Sequence, residues 1–187
     1  MSWIYLSHTL DEETPLYNDS GSISIERNNR ILEGDSCNSS QLSLPAHSGT
    51  HMDAPYHFDE EGKTLDLYPP DYWFCSKPYI IDISLNLGKL IDYQLVENKL
   101  KEVPQDCDIL LIRTGAEQFR EDSSRDYSKK GIGITKELAE WIRINLSIKI
   151  LGFDFISLSS PLKREEGRLA HKALLSHHTS QKDPILI

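Results

Sequence analysis

The sequence predicts a mixed α/β fold, a single domain over residues 1–187, and three observations carry that prediction. Short, wholly apolar runs recur in the C-terminal half, as in strands buried on both faces. Stretches with apolar residues at helical spacing separate these runs. The N-terminal region instead alternates apolar and polar residues with a period of two.

Taken in chain order, Ile23 and Ile25, then Leu42, Leu44 and Ala46, alternate with polar neighbours across residues 20–46, so the N-terminal half is expected to be β-rich. Residues 58–78 hold Pro69-Pro70, a cluster of aromatics and acidic residues, and read as an ordered loop or short helix covering a site. Tyr79–Ile83 is a strand candidate, followed by a helix over Tyr93–Leu100 that Pro104 closes. Ile109–Arg113 is a buried strand ending at Thr114-Gly115. A helix then starts at Thr135, an N-cap with Glu137 close behind, and presents Leu138, Trp141, Ile142 and Leu146 on one face. Ile148–Phe153 is the next strand, ending near Asp154, so strand, helix and strand form a parallel crossover. A last helix runs from Gly167 to Ser176.

The 187 residues suffice for one hydrophobic core, which at this size buries roughly 70% of the unfolded chain's surface. A net charge of -9, with no basic stripe, argues against nucleic acid as a partner. The opening Met1–His8 segment lacks a signal peptide's basic flank and apolar run, and no stretch reaches the ~20 apolar residues that cross a bilayer. A soluble, cytoplasmic protein without a membrane partner is expected. Cys37, Cys75 and Cys107 are odd in number and far apart, which suits a reducing compartment; they read as buried or incidental thiols.

Three of the seven histidines fall within His47-Ser-Gly-Thr-His51-Met-Asp53-Ala-Pro55-Tyr-His57. A helical zinc-protease motif is excluded, because the interval contains Gly49 and lacks the required glutamate. On an extended chain His47, His51, Asp53 and His57 share one side, but at ~3.3 Å per residue the outer pair would stand ~33 Å apart. The chain must bend, and Gly49 and Pro55 are where it can. Two imidazoles and a carboxylate then converge, a donor set that suits zinc or manganese and, with three protein ligands and an open position, a catalytic site. The bland alternative is ordinary histidines satisfied by hydrogen bonds. The density of donors favours the metal.

This segment resembles the His-x-Gly-Thr-His-x-Asp-x-Pro-x-His signature of the cyclase family, which includes bacterial kynurenine formamidase and isatin hydrolase. The likeness extends to Leu6-Ser-His8, Leu110–Gly115, Gly152-Phe-Asp154 and Ala170–Leu175, most of the chain. The resemblance implies a swivelling β/β/α-type fold with a mixed sheet, usually in homo-oligomers, here a dimer or tetramer. It implies metal ligands at His47, His51 and Asp53, an acid/base at His57, a bridging role for Asp53 in two-metal members, a second-site ligand at His171, and substrate contact at Phe58. It also implies a glutamate about a dozen residues after His171, yet no Glu follows Glu166. Either Asp183 substitutes, or Asp183–Ile187 begins the strand that precedes the glutamate, leaving that ligand and its strand beyond Ile187. One tight metal, with a second partial or absent, is the expectation.

His171 has a structural reading too, since it lies among Leu169, Ala170 and Leu174 on a helix and can simply pack there. His177 and His178, at the helix end, read as solvated side chains favoured by its dipole. Arg113 and Asp154, at strand ends, read as structural groups first. The resulting expectation is a metal-dependent hydrolase of a small amide or cyclic amide, arylformamidase-like, with N-formylkynurenine the representative substrate. The alternative is a metal-binding protein without catalysis. A serine or cysteine hydrolase is weaker, with no G-x-S-x-G elbow present.

Overall fold

The computed structural model describes residues 5–122 and 124–187, so Met1–Ile4 of the opening segment lie outside the described residues. β1 (Ser24–Asn29) and β2 (Ser39–Ser43) form an antiparallel hairpin with Ile25 opposite Leu42. The period-two alternation is therefore real, but it buries no full face: Leu42, Leu44, Ile31 and Leu32 are exposed, and Ile23 alone of the named alternating residues is buried. Among the described residues no second layer covers the hairpin, which is why strand patterning there does not become core.

The body is a parallel sheet built from β3 (Pro78–Asp82), β5 (Ile109–Arg113) and β7 (Ile150–Phe153), hydrogen-bonded in that order. Ile81 lies level with Ile112, and Ile112 with Phe153. Between β3 and β5 come β4 (Leu90–Ile91) and α1 (Tyr93–Leu100). Between β5 and β7 come the short helices α2 (Phe119–Asp122) and α3 (Ser124–Lys129), β6 (Gly133–Ile134) and α4 (Lys136–Asn145). β4 and β6 pair in parallel as a small separate sheet. Parallel neighbours require such crossovers, as the sequence pattern predicts.

The predicted N-cap Thr135 closes its helix, and Asp92, which the sequence reading did not name, closes α1. Asp92 accepts a hydrogen bond from the Leu95 amide at 2.9 Å, and Thr135 one from the Leu138 amide at 3.3 Å, each satisfying a donor the first helical turn leaves free. Ile81, Leu110, Ile112 and Leu151 from the sheet meet Val96, Leu138, Ile142 and Leu174 from the helices in one core. Each such side chain contributes roughly 1.5–3 kcal/mol of burial.

α5 (Arg164–Leu175) begins three residues before the predicted Gly167 and packs on α4. Beyond it a 3-10 turn, His177–Thr179, reverses the chain. Residues 185–187 return beside β7: Leu186 bridges Ile150 in parallel, and the Leu151 amide donates to the Leu186 carbonyl at 2.9 Å. Ile187 in turn exchanges two backbone hydrogen bonds with Asp53, at 2.7 and 3.3 Å. The segment expected to begin a strand at Asp183 thus meets the sheet edge through a single bridge at Leu186, and its last residue is hydrogen-bonded to Asp53. Among the described residues no helix is long and apolar enough to cross a membrane.

The loop 58–78 contains two 3-10 turns, Leu65–Leu67 and Pro70–Trp73. Its far half does not cover the histidine cluster. The Tyr72 hydroxyl instead donates to the Lys149 carbonyl at 3.2 Å, anchoring the loop at the start of β7, where Tyr68, Tyr72 and Trp73 pack together. Aromatic packing in the loop drew it to the sheet edge.

Candidate metal centre

The signature segment bends where its glycine and proline allow. Gly49 sits at φ +60°, a conformation that side chains rarely adopt. Ala54 is extended, as the residue before a proline must be, and Pro55 opens the 3-10 turn Pro55–His57. These two bends replace the straight strand that would have kept the donors apart.

Asp53 occupies the centre. His47 Nδ1 lies 2.7 Å and His51 Nε2 3.4 Å from its Oδ1; His57 Nε2 and His171 Nε2 lie 4.0 and 3.9 Å from its Oδ2. The five residues form two donor sets that share the carboxylate, His47–His51–Asp53 and Asp53–His57–His171, with the donor atoms of each set within 4.8 Å of one another. All four predicted histidines are brought together with Asp53. His57 enters the second set as a donor, a position beyond its expected acid/base part.

Hydrogen bonds outside the cluster fix two tautomers. His51 Nδ1 lies 2.9 Å from the Gly49 carbonyl and His171 Nδ1 2.8 Å from the Gly167 carbonyl, so each Nδ1 carries the proton and donates it. In the neutral imidazole each Nε2 then presents its lone pair to the cluster, as outer partners commonly arrange for metal-binding histidines, whereas protonated His51 donates from Nε2 to Asp53. His171 is buried on α5, as the structural reading holds, with its Nε2 turned toward Asp53.

Charge follows the geometry. Burial pushes the Asp53 carboxyl up, but the His51 hydrogen bond and the charges of His47, His57 and His51 outweigh it and hold it below the usual range. The hydrogen bond to Asp53 raises His51 against the cost of its burial. Burial lowers His57, with Asp53 opposing. His171, the most buried, is pushed down to about 4, burial outweighing the Gly167 carbonyl and Asp53, so it is neutral near pH 7. A deprotonated carboxylate among imidazoles with available lone pairs is the chemistry a divalent cation requires, and the residues fit such an ion.

The centre is open on one side. His47 is 46% exposed, whereas Asp53 and His171 are 10% and 5% exposed at their side chains. Phe58, expected at the substrate, stacks on His171 with ring centroids 4.6 Å apart and meets His57 edge-on. Asp183 belongs to neither donor set among the described residues; its charge bears on Tyr68, Tyr72 and Arg143, so it does not supply the missing carboxylate. Arg113 pairs with Asp82 on the surface, and Asp154 accepts from the amides of Thr114 and Gly115, both structural tasks.

Two residues were missed by the sequence reading. A β-carbon at Gly167 would overlap Ser159, so this glycine lets α5 approach closely enough to aim His171 at Asp53. An isolated glycine inside a helical pattern is the signal that could have found it. Asp59, two residues after the signature, is buried beneath the end of α5 and had no sequence signal beyond its position.

Fold and site together define a mixed α/β protein with a histidine and aspartate group able to hold a divalent metal. The chain belongs to the putative cyclase family, whose model matches residues 4–160. It is similar to kynurenine formamidase of Bacillus cereus, 31% identical over 176 residues that cover 94% of this chain and 78% of the relative. It is also similar to cyclase-like protein 2 of Arabidopsis thaliana, 26% identical over 163 residues, 83% of this chain and 57% of that protein. The chain spans less than two thirds of several of the curated relatives it matches. In fold it resembles isatin hydrolase A from Ralstonia solanacearum, at a TM-score of 0.69 and 22% identity over 90% of this chain and 74% of that one.

Proposed function

We propose that this protein is a metal-dependent hydrolase acting on the C–N bond of a small amide or cyclic amide, arylformamidase-like, with N-formylkynurenine the representative substrate. The observation that carries the proposal is Asp53, a buried carboxylate with two imidazoles facing each oxygen. The names of the formamidase relatives support the substrate class.

His47, His51 and Asp53 would hold one tight ion, zinc or manganese, and His171 would serve a weaker second position across Asp53 Oδ2. A bound divalent ion supplies Lewis acidity toward a carbonyl and lowers the pKa of a water to about 7. His57, a third exposed and lowered by burial, is neutral near pH 7 and able to accept a proton at Nε2 and return it to the leaving nitrogen. Phe58, packed against the rings of both His57 and His171, would be the aromatic contact for a planar substrate. A second reading has His57 as a ligand, favoured by its place in the second donor set.

The exposed apolar residues of the β1–β2 hairpin support a homo-oligomer, since a two-stranded ribbon with uncovered leucines is marginal by itself. Three free cysteines suit a reducing, cytoplasmic setting. Elemental analysis of the purified protein, with hydrolysis of aryl formamides, isatin-like lactams and lactones before and after chelation, tests the reading. Bound zinc or manganese and chelator-sensitive formamide hydrolysis are expected. Undiminished hydrolysis by well-folded, metal-free protein would defeat it.

A further inference from the structure

We infer that Asp59 is a positioning residue for the second donor set, fixing α5, and with it His171, against the segment that carries His57. The inference rests on the reading of Asp53 and His171 as ligands.

Asp59 is placed against electrostatic convention. Its side chain is 3% exposed and lies at the C-terminal end of α5, where the helix dipole disfavours an anion. A buried carboxylate is costly unless its lone pairs are taken up. Its partners come from that helix end: Oδ2 accepts from the Ser176 hydroxyl at 2.9 Å and the His177 amide at 3.0 Å. The rings of His177 and His178, both exposed as the sequence reading expects, stand 3.3 and 3.6 Å from the carboxylate. Oδ1 accepts from the Glu61 amide at 3.2 Å, closing the turn after the signature. One carboxylate thus joins segments 117 residues apart.

Arg143 grips the same point from the opposite side. It is fully buried, and its Nη1 donates to the carbonyls of Ala173, at 2.8 Å, and Ser176, while Nη2 donates to the Lys182 carbonyl at 2.7 Å. Ser176 is therefore held by its hydroxyl from an anion and by its carbonyl from a cation. His171 lies five residues upstream on the same helix, so a displacement of the helix end is carried to its ring. Phe58, between His57 and Asp59, stacks on that ring, and three consecutive residues thereby engage α5 or His171. Among the described residues His47 and His51 have no hydrogen bond to α5, and their bonds, to Asp53 and the Gly49 carbonyl, are local.

The test compares full-length wild type, Asp59→Ala, Asp59→Asn and Ser176→Ala by two readouts. One is amide hydrogen exchange of α5 in metal-free protein; the other is stepwise zinc titration by calorimetry. In Asp59→Ala the amides of residues 171–177 should exchange about 10-fold faster. Its weakest zinc step should lose about 10- to 100-fold in affinity, as loss of an outer-shell support does, with the tightest step unchanged. Asp59→Asn keeps an acceptor oxygen and should recover most of both. A folded Asp59→Ala with wild-type exchange, or with all zinc steps weakened equally, would overturn the inference. If Asp59→Ala does not fold, Ser176→Ala decides: smaller changes in the same direction support it, and wild-type behaviour overturns it. Wild type that binds no zinc or manganese would sink the ligand reading instead, while the exchange readout still judges Asp59.

Discussion

The two donor sets share Asp53 and are built by different means. His47 and His51 stand on a short irregular segment whose shape comes from its own residues, the positive φ of Gly49 and the turn opened by Pro55. His171 stands on a helix more than a hundred residues later, buried, and aimed by contacts that the rest of the fold supplies. The first set is local chemistry on an open face; the second is tertiary structure. Substitutions should therefore damage the two sets differently, and Asp53 should be the point where the difference vanishes.

Asp53→Ala is the largest expected effect. It removes the acceptor common to both sets while leaving the backbone pair with Ile187 intact, so the protein should fold and bind zinc or manganese at neither set. The affinity loss should exceed the roughly 100-fold at the top of the range for outer-shell partners. Elemental analysis after dialysis reads this directly. One ion retained at wild-type affinity would show that the sets do not depend on a shared carboxylate.

His51→Ala and His57→Ala separate holding an ion from moving a proton. His51→Ala should lose metal and turnover together. His57→Ala should keep at least one ion and lose turnover by about 10²- to 10⁴-fold, the range for general acid–base groups. Metal content and kcat measured on the same preparations decide it. Wild-type turnover by His57→Ala across pH would end its acid/base role, and loss of the tight ion would favour the ligand reading.

This difference also explains what was legible in the sequence. His47, His51, Asp53 and His57 could be read because their spacing and the residues that bend them lie in one eleven-residue run. Strands 78–82, 109–113 and 150–153 and the helices capped by Asp92 and Thr135 could be read because their signals are local too. Whether the β1–β2 alternation faced a core could not, since that depends on a layer the pattern does not name. The start of α5 was set three residues late because Gly167 looks like a boundary, whereas it is a contact with Ser159. Arg143 and Asp59 act only on a helix end brought to them by folding.

His171 gives the two sets opposite responses to pH in metal-free protein. Its folded pKa of about 4 lies below the unfolded value near 6.5, so the unfolded chain binds more protons between them. Stability from this residue is complete above pH 6.5 and is lost as pH falls towards 4, by up to about 3 kcal/mol. His57, also lowered, adds to the loss, whereas His51, raised by Asp53, contributes stability that is present at low pH and lost as pH rises. Denaturant unfolding of metal-free wild type and His171→Gln at pH 7 and pH 5 isolates the term. The wild type should lose more stability on acidification than the variant; equal losses would mean that His171 is not held neutral by burial.

Gly167→Ala is the smallest effect and the one whose sign is most telling. In an exposed helix interior, alanine is favoured over glycine by roughly 0.5–1 kcal/mol, because the glycine loses more backbone freedom on folding. α5 is an ordinary helix in its backbone, and Gly167 has no positive φ, so propensity alone predicts a gain. Packing predicts the reverse. A β-carbon at this position overlaps both the backbone and the side chain of Ser159, and backbone gives way only by moving the helix. Overpacking of this kind costs about 1–3 kcal/mol, more than the propensity term returns, so a net loss of about 1–2 kcal/mol is expected. Urea unfolding of metal-free protein measures it. The same shift carries His171 away from Asp53, so the weaker zinc step should suffer while the His47–His51 step holds. A stabilised Gly167→Ala protein with unchanged zinc binding would show that α5 tolerates displacement and that the second set does not depend on this close approach.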